Sequence, residues 1–568
     1  MTLINGRILR EDLGLRLELF PELRMEINFD LEPPVNKWNL VSKKEEVSQF
    51  ESNGYQLELR EKREAEKLLL SFKISRDDNK EFKVRNYNFT VVLPLIDIHK
   101  IWLPNLVPDV GELASVYTWR FREFTAANRS FPYLSLVSRS GINQLAVGFI
   151  NQVLETELRG QMDYRPGEYQ IYLSRPSSPL VSLTRKVLED ELFISREKKY
   201  WFRVVKTYAD YVDEKYGYQC RSVPEGAYEP VWCSWFAFTD DINQEVILEN
   251  ARLGKELGVG TILVDAGWNT PTGDWFRSDG PYGDYVPVKE KFPDLKGLVQ
   301  RIRGELGLKV EFWVSLFWVG TSSRAYQKLK LAKVITDEGE NINLCPRHPL
   351  TREHVARTAE RVMREFALDG LWIDFMDSIP RECKAQHQHI YESMGEGFAE
   401  CIKAIHQAIT RVNPQAFIEF RLTHANLHNK RYANIYETSD TPHDFDLNRR
   451  LGIITRSLAR GIVVKADPTI WNYGERDENV AKHMATMVMG GVPALSVDLR
   501  KIPESHRRII RAWLNFYQEN KISSSCRLHQ IQCVSHFDQN FTFGLVKTPS
   551  CGECPGLITG NNISVFIM

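Results

Sequence analysis

No stretch of about 18 consecutive charge-free apolar residues occurs in this chain, which excludes a membrane-spanning helix of ordinary length. The opening segment, MTLINGRILREDLGLRLEL, is interrupted by Arg7, Arg10, Glu11 and Asp12 and so lacks the apolar core of a secretory signal. Cysteine is sparse: nine residues, an odd number without regular spacing, argue against a disulfide framework and for a reducing compartment. Cys526, Cys533, Cys551 and Cys554 near the C-terminus are too irregularly spaced for a zinc module and read as incidental. Nor is there an excess of either charge. Lys and Arg total 73 against 74 Asp and Glu, with no long basic run, so nucleic acid and anionic membrane are not expected partners. What remains is a soluble cytoplasmic protein acting on a neutral or small polar molecule.

A chain of 568 residues is too long for one hydrophobic core, and it divides by texture. Residues 1–195 alternate apolar and polar positions, as in Tyr55, Leu57, Leu59, then Leu70, Phe72, Ile74, then Tyr169, Ile171, Leu173; period two predicts an antiparallel β-sandwich. Residues 196–229 are charged and aromatic-rich, and Arg196 to Tyr216 reads as a linker helix. Over residues 230–522 short apolar runs alternate with amphipathic segments, the pattern of repeated βα units. The runs Val231–Phe238, Gly260–Val264, Val310–Leu316, Gly370–Phe375, Phe417–Arg421, Asn434–Thr438, Gly461–Val464 and Val492–Val497 supply the strands of a (β/α)8 TIM barrel. Asp241 with Gln244 reads as a capping box for the first helix, and Thr351–Phe366 as an outer-ring helix with Val355, Ala359, Val362 and Phe366 on one face. Residues 523–568 hold only short strand candidates and predict a small C-terminal β appendage.

Active sites of such barrels lie where the strands end, so polar residues just after the apolar runs are the first functional candidates. Asp265, Asp374, Asp440, Asp467 and Asp498 all occupy such positions. One such Asp alone would be an ordinary helix cap, but five on one rim suit glycoside cleavage, which needs two carboxylates across the scissile bond and others on ring hydroxyls. Tryptophans crowd the same strand ends, and Trp235, Trp268 and Trp471 are candidate platforms for a pyranose face, whereas Trp313 lies deeper in its strand. A metal centre is not expected. Of His348, His354, His387, His389 and His424, the pair His387 and His389 is split by Gln388 on an expected helix, which would send the two rings to different faces.

The ordered motifs resemble one family. VWCSWFAF, LVDAGW and GDYVPVKEKFPDLKGLVQRIRGELGLKVEFW resemble the start of the barrel in glycoside hydrolase family 36, whose members read approximately NSWEA, LDDGW and GDW followed by KFP, GL and GLW. NLCPRHPLTREHVARTAERVMREFALDGLWIDFMD is similar to the segment ending at that family's nucleophile, and IYETSDTPHDFDLNRR to the one carrying its acid/base. The resemblance implies a retaining α-galactosidase-like enzyme without metal or organic cofactor, in which Asp374 is the nucleophile and Asp440 the acid/base. It also implies that Asp265 grips sugar hydroxyls, with Arg421, Asp467, Trp471 and Trp372 as further substrate contacts.

Three departures bear on the sugar. Ala266 replaces the second carboxylate of the family's Asp-Asp pair, Trp372 replaces its Lys two residues before the nucleophile, and Arg421 to Asn426 replace its Cys-Ser-Gly-Gly loop. Trp372 instead resembles the DGxWxDMN pattern of the related α-glucosidase and α-xylosidase family. Asp444 reads as a helix-start residue or a partner of Arg449. A transglycosylase shares the expected carboxylate pair, and a carbohydrate-binding protein on a decayed barrel would keep the fold without turnover. The expected partner is an oligosaccharide or glycoside, and a homo-oligomer is compatible with the sequence.

Overall fold

Alternation in the first third of the chain becomes two packed sheets. The computed structural model describes residues 2–3, 14–94, 97–104, 121–163, 167–176, 181–273, 279–331, 334–336, 342–421, 426–438, 440–445, 447–448, 451–452, 455, 461–520, 531–534, 541–545, 557–560 and 563–567. Among these, one sheet is built around Leu23–Glu32, Phe82–Pro94 and Glu168–Arg175, the other around Tyr55–Glu64, Lys67–Arg76 and Val187–Ser195. Pairing is antiparallel except between Thr2–Leu3 and Leu15–Phe20. Tyr55, Leu57, Leu59, Leu70, Phe72, Ile74, Tyr169, Ile171 and Leu173 are all buried between the sheets, as period two requires. The helix Trp201–Tyr216 follows and lays Val204, Val205, Tyr208 and Val212 against the outer face of the second sheet.

Eight parallel strands then form a ring: β1 Val231–Cys233, β2 Thr261–Val264, β3 Lys309–Val314, β4 Gly370–Ile373, β5 Phe417–Arg421, β6 Ile435–Glu437, β7 Val463–Lys465 and β8 Ala494–Leu495. β8 pairs with β1, and parallel bridges Lys465 to Val492 and Thr469 to Leu495 close the ring on the other side. Alternate residues point opposite ways, so Val231, Leu263, Trp313, Trp372, Phe417 and Val463 fill the barrel while Trp232, Ile262, Phe312, Leu371, Ile418 and Tyr436 meet the helices. The expected fold class, an antiparallel sandwich before a (β/α)8 barrel, is the fold observed.

Local details differ from the sequence reading. β1 stops at Cys233, and Trp235–Phe238 coils into one helical turn because an apolar run does not itself distinguish strand from helix. The next helix, Gln244–Leu257, is capped by Asn243, whose Oδ1 accepts from the Val246 N–H at 2.9 Å, not by an Asp241 box. Its C-cap, Gly258, takes φ 102°, where a side chain would be strained. Pro349–Phe366 buries Val355, Ala359, Val362 and Phe366 as expected, and the His348 ring caps it by accepting from Leu350 N–H at 3.1 Å. In the C-terminal segment, Ile531–Val534, Phe541–Leu545, Leu557–Gly560 and Ile563–Ile567 form a four-stranded sheet, while Cys526, Cys551 and Cys554 lie outside the described residues. No helix among the described residues is long and apolar enough to cross a membrane.

The sandwich also braces the C-terminal mouth of the barrel. Asn128 donates to the Met376 carbonyl at 3.0 Å, and Arg129 donates to the Asp377 carbonyl, so a sandwich turn rests on the loop after β4. Asn426, after β5, donates to the carbonyls of Ser130 at 2.6 Å and Gln152 at 3.0 Å.

Candidate active site

Strand phase decides which carboxylates enter the barrel mouth. Asp265, Asp374 and Asp467 each follow their strand in the inward phase, two residues beyond the interior positions Leu263, Trp372 and Lys465, and all three are buried. Asp374 is held in place by several donors: Trp313 Nε1 to Oδ2 at 3.1 Å, its neighbour Phe375 N–H to Oδ1 at 2.7 Å, and Arg421 Nη1 at 3.5 Å from Oδ1. Phe375 itself sits at φ 53°, a left-handed conformation that costs a non-glycine residue energy and turns the chain sharply after Asp374. Asp440, after β6, keeps 54% of its side chain exposed and pairs through Oδ1 with Arg421 Nη2. One guanidinium therefore lies between the two carboxylates that the motifs single out. Burial opposes the Arg421 charge, yet Asp374, Asp440 and Glu437 around it raise its pKa well above the ordinary arginine value.

The remaining rim residues divide into two groups. Asp467 accepts from the Thr441 N–H at 2.5 Å, so it fixes the segment next to Asp440; burial, reinforced by Asp440, pushes its carboxyl well up. Trp235 is half-buried at the edge of the barrel-interior cluster, and Trp372 packs inside it. Trp268 is 0% exposed, donates to the Trp313 carbonyl at 3.0 Å and is covered by Tyr285, Phe312 and Phe366, which leaves no face open to a sugar ring. Trp471 is likewise turned into the helix layer, with its Nε1 on His506 Nδ1 at 3.2 Å. Both are packing residues. Asp498 is taken up by Arg500, at 2.8 and 2.9 Å, and Asp444 caps a helix start by accepting from Leu447 N–H at 2.9 Å. Arg449 and residues 422–425, including His424, lie outside the described residues.

Beneath the rim is a charged layer that the sequence reading missed. Glu311 on β3, Glu419 on β5, Glu437 on β6 and Lys465 on β7 all point inward and are essentially inaccessible. Lys465 pairs with Glu419 and lies 4.8 Å from the centre of the Trp372 ring. Burial raises the carboxyls of Glu311, Glu419 and Glu437, while these three hold the Lys465 ammonium protonated against its own burial. The signal was present as charged residues in the inward phase of these four apolar runs. At the opposite barrel mouth a cavity of about 340 Å³ is lined by Arg303, Lys309, Asp369 and Phe417. Asp369 is there committed to Arg303 at 2.9 Å and to the Val310 N–H at 3.0 Å, which suits a structural clamp.

No family model matches the chain. Over 96 residues it is 35% identical to the α-galactosidase AgaA of Geobacillus stearothermophilus, a segment that makes up 17% of this chain and 13% of that enzyme. Over 93 residues it is 37% identical to the probable α-galactosidase B of Talaromyces emersonii, covering 15% of this chain and 20% of that protein. The crystal structure of the Geobacillus family 36 enzyme superposes with a TM-score of 0.63 at 16% identity, over 89% of this chain and 77% of that one. The chain thus shares its fold with the glycoside hydrolase family 36 α-galactosidases and a short stretch of sequence with two α-galactosidases. Variants of the same Geobacillus enzyme have been solved in complex with stachyose and with raffinose.

Among the rim carboxylates, Asp265 is the one followed directly by Ala266. Burial, opposed by the Ala266 N–H at 2.6 Å and the Cys233 thiol at 3.3 Å and reinforced by Asp374, raises its carboxyl to about 7. A folded-state value above the unfolded ~3.9 means that the stability contributed is full below about pH 4 and is lost as pH rises through 7. A rise from 3.8 to about 7 is roughly three units, or ~4 kcal/mol. Asp265→Asn, which cannot ionise, is expected to lose ~4 kcal/mol less stability than the wild type between about pH 4 and 8. Urea denaturation at both pH values checks this, and parallel losses would contradict the assignment.

The histidine expectation is corrected. Residues 379–393 are irregular, not helical, so His387 and His389 are not on opposite helix faces; their ring centres are 4.6 Å apart. The ligating atoms of Cys345, Cys383, His387 and His389 all lie within 4.8 Å of one another.

Proposed function

We propose that this chain is a retaining α-glycosidase acting on terminal α-linked sugars, most nearly an α-galactosidase. The observation that carries the reading is the meeting of Asp374 and Asp440 on one guanidinium at the C-terminal mouth of the barrel, in the motif order of family 36. Asp374, supplied with donors by Trp313 and Phe375, attacks the anomeric carbon as a carboxylate. Asp440, the more exposed of the two, gives its proton to the leaving oxygen, and a covalent glycosyl ester on Asp374 results. Asp440 then takes a proton from water as that water cleaves the ester, so the product keeps the α configuration. Arg421 has to part from Asp440 for the proton-donating oxygen to face the leaving group, and a substrate hydroxyl oxygen takes its place as acceptor.

Asp265 is the carboxylate for ring hydroxyls, and Trp235 with Trp372 supplies apolar surface near them. The stachyose and raffinose complexes of the Geobacillus enzyme make α-galactosides the first substrates to try. Ala266 neither rewards nor requires the hydroxyl that an acidic side chain there would bind, which favours a relaxed or altered sugar preference. A panel of p-nitrophenyl α-glycosides (galactose, N-acetylgalactosamine, glucose, xylose) with β-L-arabinopyranoside tests this. Turnover of one member, with the product of the substrate's own anomeric configuration seen first by proton NMR, supports hydrolysis with retention. Transfer to an added sugar acceptor in preference to water points to a transglycosylase. Saturable sugar binding by calorimetry without turnover of any member would replace the enzyme reading by a carbohydrate-binding one.

A further inference from the structure

We infer that Cys345, Cys383, His387 and His389 form a structural zinc site that clamps the loop after Asp374 to the chain entering the Pro349–Phe366 helix. Two thiols and two imidazoles are the donor set of closed tetrahedral zinc centres, with bonds of about 2.3 Å to sulfur and about 2.0–2.1 Å to nitrogen. Those bond lengths put neighbouring ligand atoms roughly 3.3–3.8 Å apart. The four atoms here lie within 4.8 Å of one another, and Cys383 Sγ to His387 Nε2 is already 3.4 Å. Closing onto a cation therefore needs only small side-chain movements.

The backbone frame is fixed independently of any ion. Ile390 N–H donates to the Arg347 carbonyl at 3.0 Å, and Arg347 Nε donates to the Tyr391 carbonyl at 2.8 Å, on one side of the cluster. On the other, Asn343 Nδ2 donates to the Ser378 carbonyl at 3.2 Å. Both cysteines are buried, and the buried Nε2 of His389 has no hydrogen-bond partner among the described residues. His348 stands near His387, but its Nδ1 already caps the Leu350 N–H, which leaves four ligands and not five.

The chemistry also selects the cation. With no carboxylate in the set, magnesium and calcium are disfavoured, and with no vacant protein-free position the site is structural and not hydrolytic. Binding Zn²⁺ displaces two thiol protons to solution, and the two thiolates balance its charge. The loop so fastened is the one that leaves Asp374 through Phe375 and Ser378.

The test is metal content and spectroscopy on the full chain purified under reducing conditions. Elemental analysis is expected to give about one zinc per chain, falling at least ~tenfold in Cys383→Ser and in His389→Ala. Cobalt(II) added to chelator-treated wild type should give intense tetrahedral d–d bands and a thiolate charge-transfer band, and zinc should bleach them. The cobalt spectrum and the zinc content of the wild type do not depend on a variant folding. Reduced wild type that takes up neither zinc nor cobalt would overturn the inference. So would a Cys345–Cys383 disulfide in peptide mass spectra of protein alkylated at lysis. Zinc that is lost in Cys551→Ser/Cys554→Ser but kept in Cys383→Ser would also overturn it, by assigning the metal to the C-terminal segment.

Discussion

Replacing Asp374 by Ala is expected to lower kcat on the preferred p-nitrophenyl glycoside by at least ~10³-fold, with the sugar still bound. The carboxylate is asked to form the bond that breaks the glycosidic linkage, and no other rim residue can substitute for it. Asp265 is buried with its carboxyl raised to about 7, and Asp467 is committed to the Thr441 N–H. Added azide distinguishes the two proposed roles. In Asp374→Ala the azide would fill the space of the lost carboxylate and attack directly, giving the β-glycosyl azide. In Asp440→Ala the glycosyl ester would still form on a good leaving group, and azide would then give the α-azide. Loss of acid/base help costs ~10²–10⁴-fold on natural substrates and far less on nitrophenol, whose departure needs little protonation. Full activity in Asp374→Ala, or β-azide from both variants, would remove Asp374 from the nucleophile role.

The distance between sequence and site can be followed residue by residue. Barrel strands were legible because short apolar runs between amphipathic helices leave few other folds, and the ends of β2, β4 and β7 located Asp265, Asp374 and Asp467 directly. Position after a strand does not specify which way a side chain turns. Trp268 and Trp471 lie close to strand ends, yet both pack into the helix layer. Phase would have served better than proximity. Glu311, Glu419, Glu437 and Lys465 share the inward phase of Trp313, Phe417, Ile435 and Val463, and in such short runs one charge is easily passed over as an edge residue. His387 and His389 escape the sequence for a related reason: a helix there would separate their rings, but the segment is irregular. Only contacts distant in sequence, such as Cys345 with Cys383, reveal what that segment does.

The buried layer leads to the second large expected effect. Lys465→Met should destabilise the chain by ~3–5 kcal/mol at about pH 8, because it removes the cation that Glu419 pairs with and leaves buried carboxylates uncompensated. The sign of the pH dependence follows from the raised carboxyls of Glu311, Glu419 and Glu437. A folded-state pKa above the unfolded value of ~4.3 contributes stability below that value, and the contribution is lost as pH rises through the folded pKa. In the variant the lysine no longer holds these values down, so the loss moves further into the accessible range. Lys465→Met is thus expected to be close to wild type near pH 5 and much weaker near pH 8. Glu419→Gln added to Lys465→Met should recover a large part of the difference, since the carboxylate that Lys465 pairs with is then absent. Thermal midpoints of the two variants at both pH values check this; a penalty independent of pH, unrelieved by Glu419→Gln, would mean that Lys465 acts by packing beneath Trp372 and not by charge. Either result bears on the pocket, because Trp372 stands two residues before Asp374 and rests on the Lys465 ammonium. A softened layer would let that indole and the strand end move together, so KM for the preferred glycoside should rise in Lys465→Met at pH 8 and be largely restored at pH 5.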